Sequence, residues 1–146
     1  MGKITIMSPQ TEHKIRQSFH AQAMMATLGA SLAQMGEGHV EIHAPIAPGS
    51  RQQHGFAHAG LTFSIGDSAA GYAALSVMPE DCEVLTTEMK INLLAPADGS
   101  HLIARGRVIK PGRRLVIVQS DIFAVKGGRE THIALMIGTM IPVPAS

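Results

Sequence analysis

The chain of 146 residues has the length of a single domain, and its 45% hydrophobic and 16% charged residues are typical of a globular protein with one packed core. Twelve Lys and Arg residues stand against eleven Asp and Glu residues, so the formal net charge of +1 is too small for a surface that attracts nucleic acid. We therefore expect one domain over residues 1–146 and no nucleic-acid partner.

The N-terminal sequence and the cysteine content bear on the compartment. The chain begins MGKITIMSPQTEHK, which lacks the continuous apolar stretch of a signal peptide. Its one cysteine, Cys82, excludes an internal disulfide, as suits a reducing compartment. Both observations favour a cytoplasmic protein.

The first third of the sequence predicts a helix and a hairpin. Ser8 followed by Pro9 and Glu12 is typical of a helix start, with a capping hydroxyl, a proline at the first helical position and an acid in the first turn. Residues 24–35 are compatible with more helix, but a glycine interrupts them. The Gly-Glu-Gly of residues 36–38, followed by an alternating apolar pattern, predicts a two-stranded hairpin.

Residues 58–75 form the least ordinary segment. They are apolar on nearly all sides and rich in Ala and Gly, which predicts a buried helix whose small side chains allow close approach to neighbouring backbone. The length also fits a membrane span, but Asp67 near its centre would cost about 2.5–3.5 kcal/mol in a bilayer. We therefore expect a buried helix and no membrane partner.

From residue 83 onward apolar residues recur with a period of two, which predicts four strands. These strands cover residues 84–93, 102–109, 115–125 and 131–141. Between the second and third, Lys110-Pro111-Gly112-Arg113 matches a type II turn, which requires a positive φ at the glycine. The sequence thus predicts an α+β fold with the order helix, two strands, central helix and four strands, in which an antiparallel sheet packs against the central helix.

The central helix carries two features that point to chemistry. A carboxylate is almost never fully buried unless it is paired or hydrogen-bonded, so Asp67 is either a structural side chain that contacts a loop or an arginine, or a catalytic carboxylate in a cleft. At the start of the same helix the first N–H groups lack helical partners and can hold an oxyanion. The small Ala59 and Gly60 leave room there for a substrate carbonyl.

The combined motifs resemble the hotdog-fold acyl-CoA thioesterases of the PaaI-type, phenylacetate-degradation group. The resemblance rests on Gln52-x-His54-Gly55-x-x-His58-Ala59-Gly60 with Asp67 after it, on TTEMKINLLAPADG at residues 86–99 and on GRVIKPGRRLVIV at residues 106–118. It covers about residues 10–141. It implies a long central helix wrapped by an antiparallel sheet, two subunits that pair into a continuous sheet, and hydrolysis of an acyl-CoA thioester with no cofactor.

The resemblance also implies roles for individual residues. The carboxylate at Asp67 would act on the thioester carbonyl as a nucleophile, or activate water as a general base. The family's His-Gly-Gly falls on His58, Ala59 and Gly60, so its first glycine is alanine here, and the backbone N–H groups of Ala59 and Gly60 would form the oxyanion hole.

Two further positions differ from the family pattern or leave alternatives open. Gln52 stands where the family frequently has Asn, six residues before the histidine. A hydroxyl residue that helps to hold water in related enzymes falls on Thr86, or on Thr87 if the alignment shifts by one.

Helix geometry predicts a composite site. At 1.5 Å per residue, Ala59 and Asp67 of one chain lie about 12 Å apart along the axis, whereas both must reach the same thioester group. If two copies of the helix meet antiparallel at a two-fold axis, Asp67 of one copy lies opposite Ala59 of the other. We therefore expect a homodimer, alone or within a dimer of dimers.

Five cationic side chains lie within residues 105–114. A solvated sheet edge has the same pattern, but forked Arg donors also suit the phosphates of coenzyme A. The two arginines at the turn are the better candidates. The expected substrate contacts are Arg113, Arg114, Lys110, Phe63 and Thr87.

Other functions remain open from the residues alone. His54-x-x-x-His58 has a spacing that suits zinc on a helix, with Asp67 as a third ligand. Both histidines fall in a glycine-containing loop, however, so we expect His58 to hydrogen-bond backbone, and no metal. The alternative activities are a hotdog dehydratase and a non-hydrolytic acyl-CoA-binding module.

Overall fold

The computed structural model describes residues 7–145, and its elements follow the predicted order. The helices are α1 (Pro9–Ala21), α2 (Ala23–Thr27) and α3 (Ala59–Leu75). The strands are β1 (Ser31–Gly36), β2 (His39–Pro45), β3 (Cys82–Leu93), β4 (His101–Pro111), β5 (Val116–Lys126) and β6 (Arg129–Pro144). Residues 1–6, which belong to the segment without a signal-peptide pattern, lie outside the described residues.

All six strands form one antiparallel sheet in the order β1-β2-β4-β5-β6-β3. The central helix α3 packs across strands β2 to β6. No helix within residues 7–145 combines the length and the apolar character that a membrane crossing requires. The predicted architecture, a long central helix wrapped by an antiparallel sheet, is therefore present.

The helix start predicted at Ser8 and Pro9 is present. The Ser8 hydroxyl accepts a hydrogen bond of 3.2 Å from the Thr11 N–H and caps α1, whose first residue is Pro9. Of the ambiguous stretch 24–35, only the first residues are helical. Gly29, with φ of +69°, separates α2 from β1.

Small residues let α3 lie close to the sheet. Gly106 of β4 faces the helix, and a Cβ at this position would collide with the backbone of Ala69 and Ala70. The buried Ser120 of β5 donates a hydrogen bond of 2.6 Å to the carbonyl oxygen of Gly66. These contacts fix how α3 is rotated about its axis, and therefore where Asp67 points.

The predicted type II turn at residues 110–113 is wrong. Strand β4 continues through Pro111, and Gly112 does not have a positive φ. A bulge between Val108 and Lys110 shifts the pairing of β4 with β5 and moves the turn along the chain. Gly112 is required for a different reason, because a Cβ there would collide with the carbonyl oxygen of Leu115.

Candidate active site

The N-terminus of α3 offers one open backbone donor. His58 is the N-cap, and its Nδ1 accepts a hydrogen bond of 2.8 Å from the Gly60 N–H. The predicted contact of His58 with backbone is therefore confirmed. It occupies one of the two expected oxyanion donors, whereas the exposed Ala59 N–H has no acceptor among residues 7–145.

A cleft of about 640 Å³ opens beside Ala59. Its walls are the loop of residues 52–58, the first turn of α3, the end of β3 with the loop that follows it, and one residue of β6, and no Asp, Glu, Lys or Arg side chain lines it. Gln52 lines the cleft and also shapes the loop, because its Oε1 accepts a hydrogen bond from the His54 N–H. The apolar side chains in the lining are Phe56, Ala57, Leu93, Leu94, Ala95, Pro96, Ala97 and Ile133.

Asp67 lies about two turns further along α3 and is half-buried. The Thr86 hydroxyl donates a hydrogen bond of 2.8 Å to its Oδ1. Burial raises the pKa of the Asp67 carboxyl, and the hydrogen bond from Thr86 opposes this rise. Asp67 has no cationic partner in the described part of the chain. Its one side-chain partner is a hydroxyl, which leaves the carboxylate open to chemistry.

The structure separates the two candidate threonines. Successive side chains of a strand point to opposite faces, and Thr86 is the one that reaches Asp67. The Thr87 hydroxyl instead donates to the carbonyl oxygen of Thr139, at 3.1 Å. A bulge between Thr86 and Glu88 interrupts the pairing of β3 with β6 at this point.

One side of α3 is only partly covered by the sheet and α1. Gly60, Phe63, Ser64, Asp67 and Ser68 recur at helical spacing and are exposed or half-buried, in contrast to the buried residues around them. Phe63 is 38% exposed. We call these five residues the open stripe of α3. The Ala59 N–H and Asp67 lie near its two ends, about 12 Å apart along the helix axis.

The cations of the β4–β5 hairpin fall into two groups. Arg105 pairs with Glu130 at 2.7 Å and with Glu41 at 3.3 Å, and it lies over the Phe123 ring. Arg113 and Arg114, in the turn after β4, and Lys110 are exposed and have no ion pair among the described residues. Arg105 therefore has a structural role, whereas these three, and the exposed Arg107, which also has no ion pair among the described residues, remain available to an anion.

The sheet register places this turn at the Asp67 end of the molecule. Val116, which begins β5 directly after the turn, pairs with Met140 of β6, and Met140 pairs with Thr86 of β3. Three adjacent strands are thus level at this point. The cleft beside Ala59 lies at the other end, where β3 ends at Leu93.

Four residues that the sequence analysis did not single out lie next to Asp67. Ser18, Gln22, Ser68 and Tyr72 line a second, smaller cavity together with Asp67 and Thr86. Their hydrogen bonds join positions 46 to 54 residues apart. No local pattern in the sequence could have revealed them. Within residues 7–145, no group of three or more His, Cys, Asp or Glu side chains could hold a metal ion.

Comparison with known proteins decides the family. A sequence model of the thioesterase superfamily matches residues 54–131, which are more than half of the chain. The chain belongs to the thioesterase superfamily. A thioesterase family protein from Silicibacter pomeroyi is 42% identical, and its crystal structure aligns with a TM-score of 0.90 over 92% of this chain and 99% of that one.

Two further proteins resemble this thioesterase-superfamily chain, one in structure and one in sequence. The E. coli PaaI protein from the phenylacetic acid degradation operon is 20% identical and aligns with a TM-score of 0.84 over 96% of this chain and 98% of that one, which shows the fold alone. A Saccharolobus solfataricus protein provisionally named an esterase is 36% identical over 87 residues, or 60% of this chain. The match spans 55% of that relative's length. The resemblance to PaaI-type hotdog thioesterases, the α+β hotdog fold and the expectation of a thioesterase-type enzyme are confirmed at the level of the family.

Proposed function

We propose that this chain hydrolyses an acyl-CoA thioester at a site formed by two subunits of a homodimer. The observation that carries the proposal is Asp67. It is a half-buried carboxylate on an otherwise apolar helix, and a hydroxyl is its only side-chain partner in the described chain. Such a group is costly to bury, and a role in the reaction accounts for its presence.

The oxyanion donor comes from the opposite end of the helix. The thioester oxygen binds the open N–H of Ala59, where the helix N-terminus stabilises developing negative charge. Gly60 leaves space for the carbonyl, while His58 and Gln52 hold the loop that forms the cleft wall.

The partner's Asp67 then drives the reaction. It attacks the carbonyl carbon to form a mixed anhydride that water hydrolyses, or it removes a proton from water that attacks directly. Both routes break the C–S bond and release the free acid and CoA. Thr86 holds the carboxylate, and through it the attacking group, in place.

Two exposed surfaces support the dimer. Antiparallel contact between the open stripes of two α3 helices brings each Asp67 opposite the partner's Ala59. Strand β3 is one of the two edge strands of the sheet, with Leu85 55% and Leu93 60% exposed. A long exposed edge strand is a liability in a monomer, and pairing through β3 would cover this one. A dimer of dimers leaves the composite site unchanged.

The remaining expected residues contact the substrate. Arg113, Arg114 and Lys110 lie at the Asp67 end of the sheet and bind the phosphates of CoA. Phe63 on the open stripe packs against the substrate between the two catalytic ends. Thr87 is further from the reaction, because its hydroxyl is bonded to β6.

The rate at which the variant Asp67→Asn hydrolyses acyl-CoA esters tests the proposal. Release of free CoA thiol from a panel of short, long and aromatic acyl-CoA esters is measured for the wild type, for Asp67→Asn and for Asp81→Asn, which changes an exposed aspartate. We expect kcat to fall at least about 100-fold in Asp67→Asn only. Wild-type rates in Asp67→Asn would overturn the mechanism. Bound but intact esters would indicate a binding module, and enoyl-CoA formed from 3-hydroxyacyl-CoA would indicate a dehydratase.

A further inference from the structure

A second cavity, of about 180 Å³, lies beside Asp67. Three elements form its walls: the C-terminal end of α1, the middle of α3 and the start of β3. The polar side chains in this lining, besides Asp67 itself, are Ser18, Gln22, Ser68, Tyr72, Glu83 and Thr86. This hydroxyl, amide and carboxyl lining contrasts with the mostly apolar cleft beside Ala59.

The Gln22 amide is held in the cavity wall from both sides. Its Nε2 donates a hydrogen bond of 2.7 Å to the Tyr72 hydroxyl, and its Oε1 accepts one of 3.2 Å from the Ser68 hydroxyl. Ser18 of α1 is 3.1 Å from the same Tyr72 oxygen. Gln22 follows the last residue of α1, so this network attaches the end of that helix to α3.

The network leaves part of the hydrogen-bonding capacity of Gln22 unused. A primary amide has two N–H donors and two acceptor lone pairs on its oxygen. Tyr72 takes one donor and Ser68 takes one lone pair, so one of each remains for a molecule in the cavity. Asp67 likewise keeps Oδ2, because Thr86 bonds to Oδ1.

The size and the lining of the cavity favour water over an acyl group. Each water molecule occupies about 30 Å³ in the liquid, so the cavity has room for several. Burying an apolar chain there would remove the hydration of amide, hydroxyl and carboxyl groups without replacing their hydrogen bonds. The cleft at the other end of α3, which has no carboxyl group and a mostly apolar lining, imposes a smaller cost.

We propose that this cavity supplies the water for hydrolysis and that Gln22, bridging Ser68 and Tyr72, is the positioning residue that orients that water beside Asp67. One O–H of the water is donated to Asp67 and the other to the free lone pair of Gln22 Oε1, which leaves a lone pair on the water oxygen for attack. The inference rests on the proposed thioester hydrolysis.

The same water serves both routes. In direct attack the water oxygen bonds to the thioester carbon, Asp67 takes one proton, the C–S bond breaks and the thiolate leaves, to be protonated as CoA thiol. In the anhydride route Asp67 first displaces CoA thiolate from the acyl carbon. The water oxygen then bonds to that carbon, the C–O bond to Asp67 breaks, the free acid and the Asp67 carboxylate are released, and the remaining proton of the water passes through solvent to the thiolate.

Gln22→Met tests the role of the amide, because it keeps the length of the side chain and removes its hydrogen bonds. We expect kcat to fall about tenfold while KM for the acyl-CoA stays within about twofold. In the presence of hydroxylamine, after subtraction of the rate without enzyme, the ratio of hydroxamate to free acid should rise, since only attack by water depends on Gln22.

The matched control is Gln17→Met, the same change at an exposed position of α1, with wild-type kcat, KM and product ratio expected. If Gln22→Met does not fold, Ser68→Ala removes the bond to Oε1 and carries the same test, with a smaller rise in the ratio. If Gln22→Met forms hydroxamate and free acid in the wild-type ratio, whether both rates fall equally or neither falls, the role of Gln22 is overturned. A wild-type protein that does not hydrolyse acyl-CoA overturns the proposed function instead.

Discussion

Thr86 of the edge strand β3 donates its hydroxyl proton to Oδ1 of Asp67 on the central helix, at 2.8 Å. A hydrogen bond to the carboxylate favours the charged form, so this contact opposes the rise in the pKa of Asp67 that burial causes. Thr86→Val keeps the shape of the side chain and removes the donor, so the pKa of Asp67 should rise further. Both routes require the carboxylate. We therefore expect the acid limb of kcat/KM to move to higher pH, so that the loss of activity relative to wild type grows as the pH falls.

Thr87→Val provides the comparison within the same strand. Its hydroxyl is bonded to the Thr139 carbonyl, so its pH profile should keep the wild-type acid limb. If the acid limb of kcat/KM moves in Thr87→Val and stays in place in Thr86→Val, the hydroxyl that contacts Asp67 in solution is that of Thr87.

Stability should depend on pH through Asp67. Because burial raises the pKa of this carboxyl, the folded protein binds its proton more tightly than the unfolded chain does. The resulting stabilisation is complete below the ordinary pKa of aspartate and is lost as the pH rises through the raised pKa. Asp67→Asn does not titrate, so its Tm relative to wild type should increase from acidic to neutral pH. A difference in Tm that is the same at pH 4 and pH 7.5 would contradict this account.

The open N–H of Ala59 can be removed with little change to the fold. Ala59 is the first residue of α3, a position that tolerates proline, and His58 before it has the extended conformation that a following proline requires, with φ −64° and ψ 144°. We expect Ala59→Pro to fold as the wild type and to lose about 10²–10³ in kcat, the effect of removing an oxyanion donor. Ala59→Ser, which keeps the N–H, should recover most of the rate. Full activity in Ala59→Pro would exclude this donor.

A mixed dimer tests whether the two ends of the site come from different subunits. Subunits carrying Ala59→Pro and Asp67→Asn are co-expressed with different tags and the heterodimer is purified through both. One of its two sites then combines an intact Asp67 with an intact Ala59, so about half of the wild-type rate per dimer should return. Each homodimeric variant should be inactive. If the heterodimer is as inactive as its parents, the composite site is wrong.

Arg113 and Arg114, in the turn between β4 and β5, should affect the binding of acyl-CoA more than its turnover. Changing Arg113 and Arg114 together to Ala is expected to raise KM for the acyl-CoA about tenfold and to lower kcat much less, because contacts with phosphates persist from the bound substrate to the transition state. Arg129→Ala removes an exposed cation at the opposite end of the sheet, where β6 begins, and should leave KM unchanged. A rise in KM only in Arg129→Ala would place the CoA phosphates at that end.

The sequence was informative where neighbouring residues determine the structure. The cap at Ser8, the hairpin after residue 36 and the burial of α3 follow from local residue types, and each is present. The turn at Gly112 was mispredicted because a bulge in β4, which depends on pairing with β5, moves it.

The site was predictable only in part, for a related physical reason. Asp67 stands out on an apolar helix, so its position in the sequence already indicates a special environment. The hydrogen bond from the Gly60 N–H to the His58 ring depends on the rotamer of the His58 side chain, which the sequence does not specify. The network around Gln22 joins α1 to α3 across 46 and 50 residues, and such contacts exist only after tertiary packing.

The place of Thr86 on an edge strand links the surroundings of Asp67 to whatever lies beside that edge. Beside the bulge in β3, Thr86 is paired on one side only, with β6, and the other side of the strand has no neighbour within residues 7–145. A second chain paired along this edge would place backbone beside Thr86 and alter the surroundings of its hydrogen bond to Asp67. Because the proposed site needs both subunits, separation of the chains should abolish hydrolysis and change the pKa of Asp67 together. A titration of Asp67 followed by NMR, which does not depend on activity, would then report how much of the protein is dimeric.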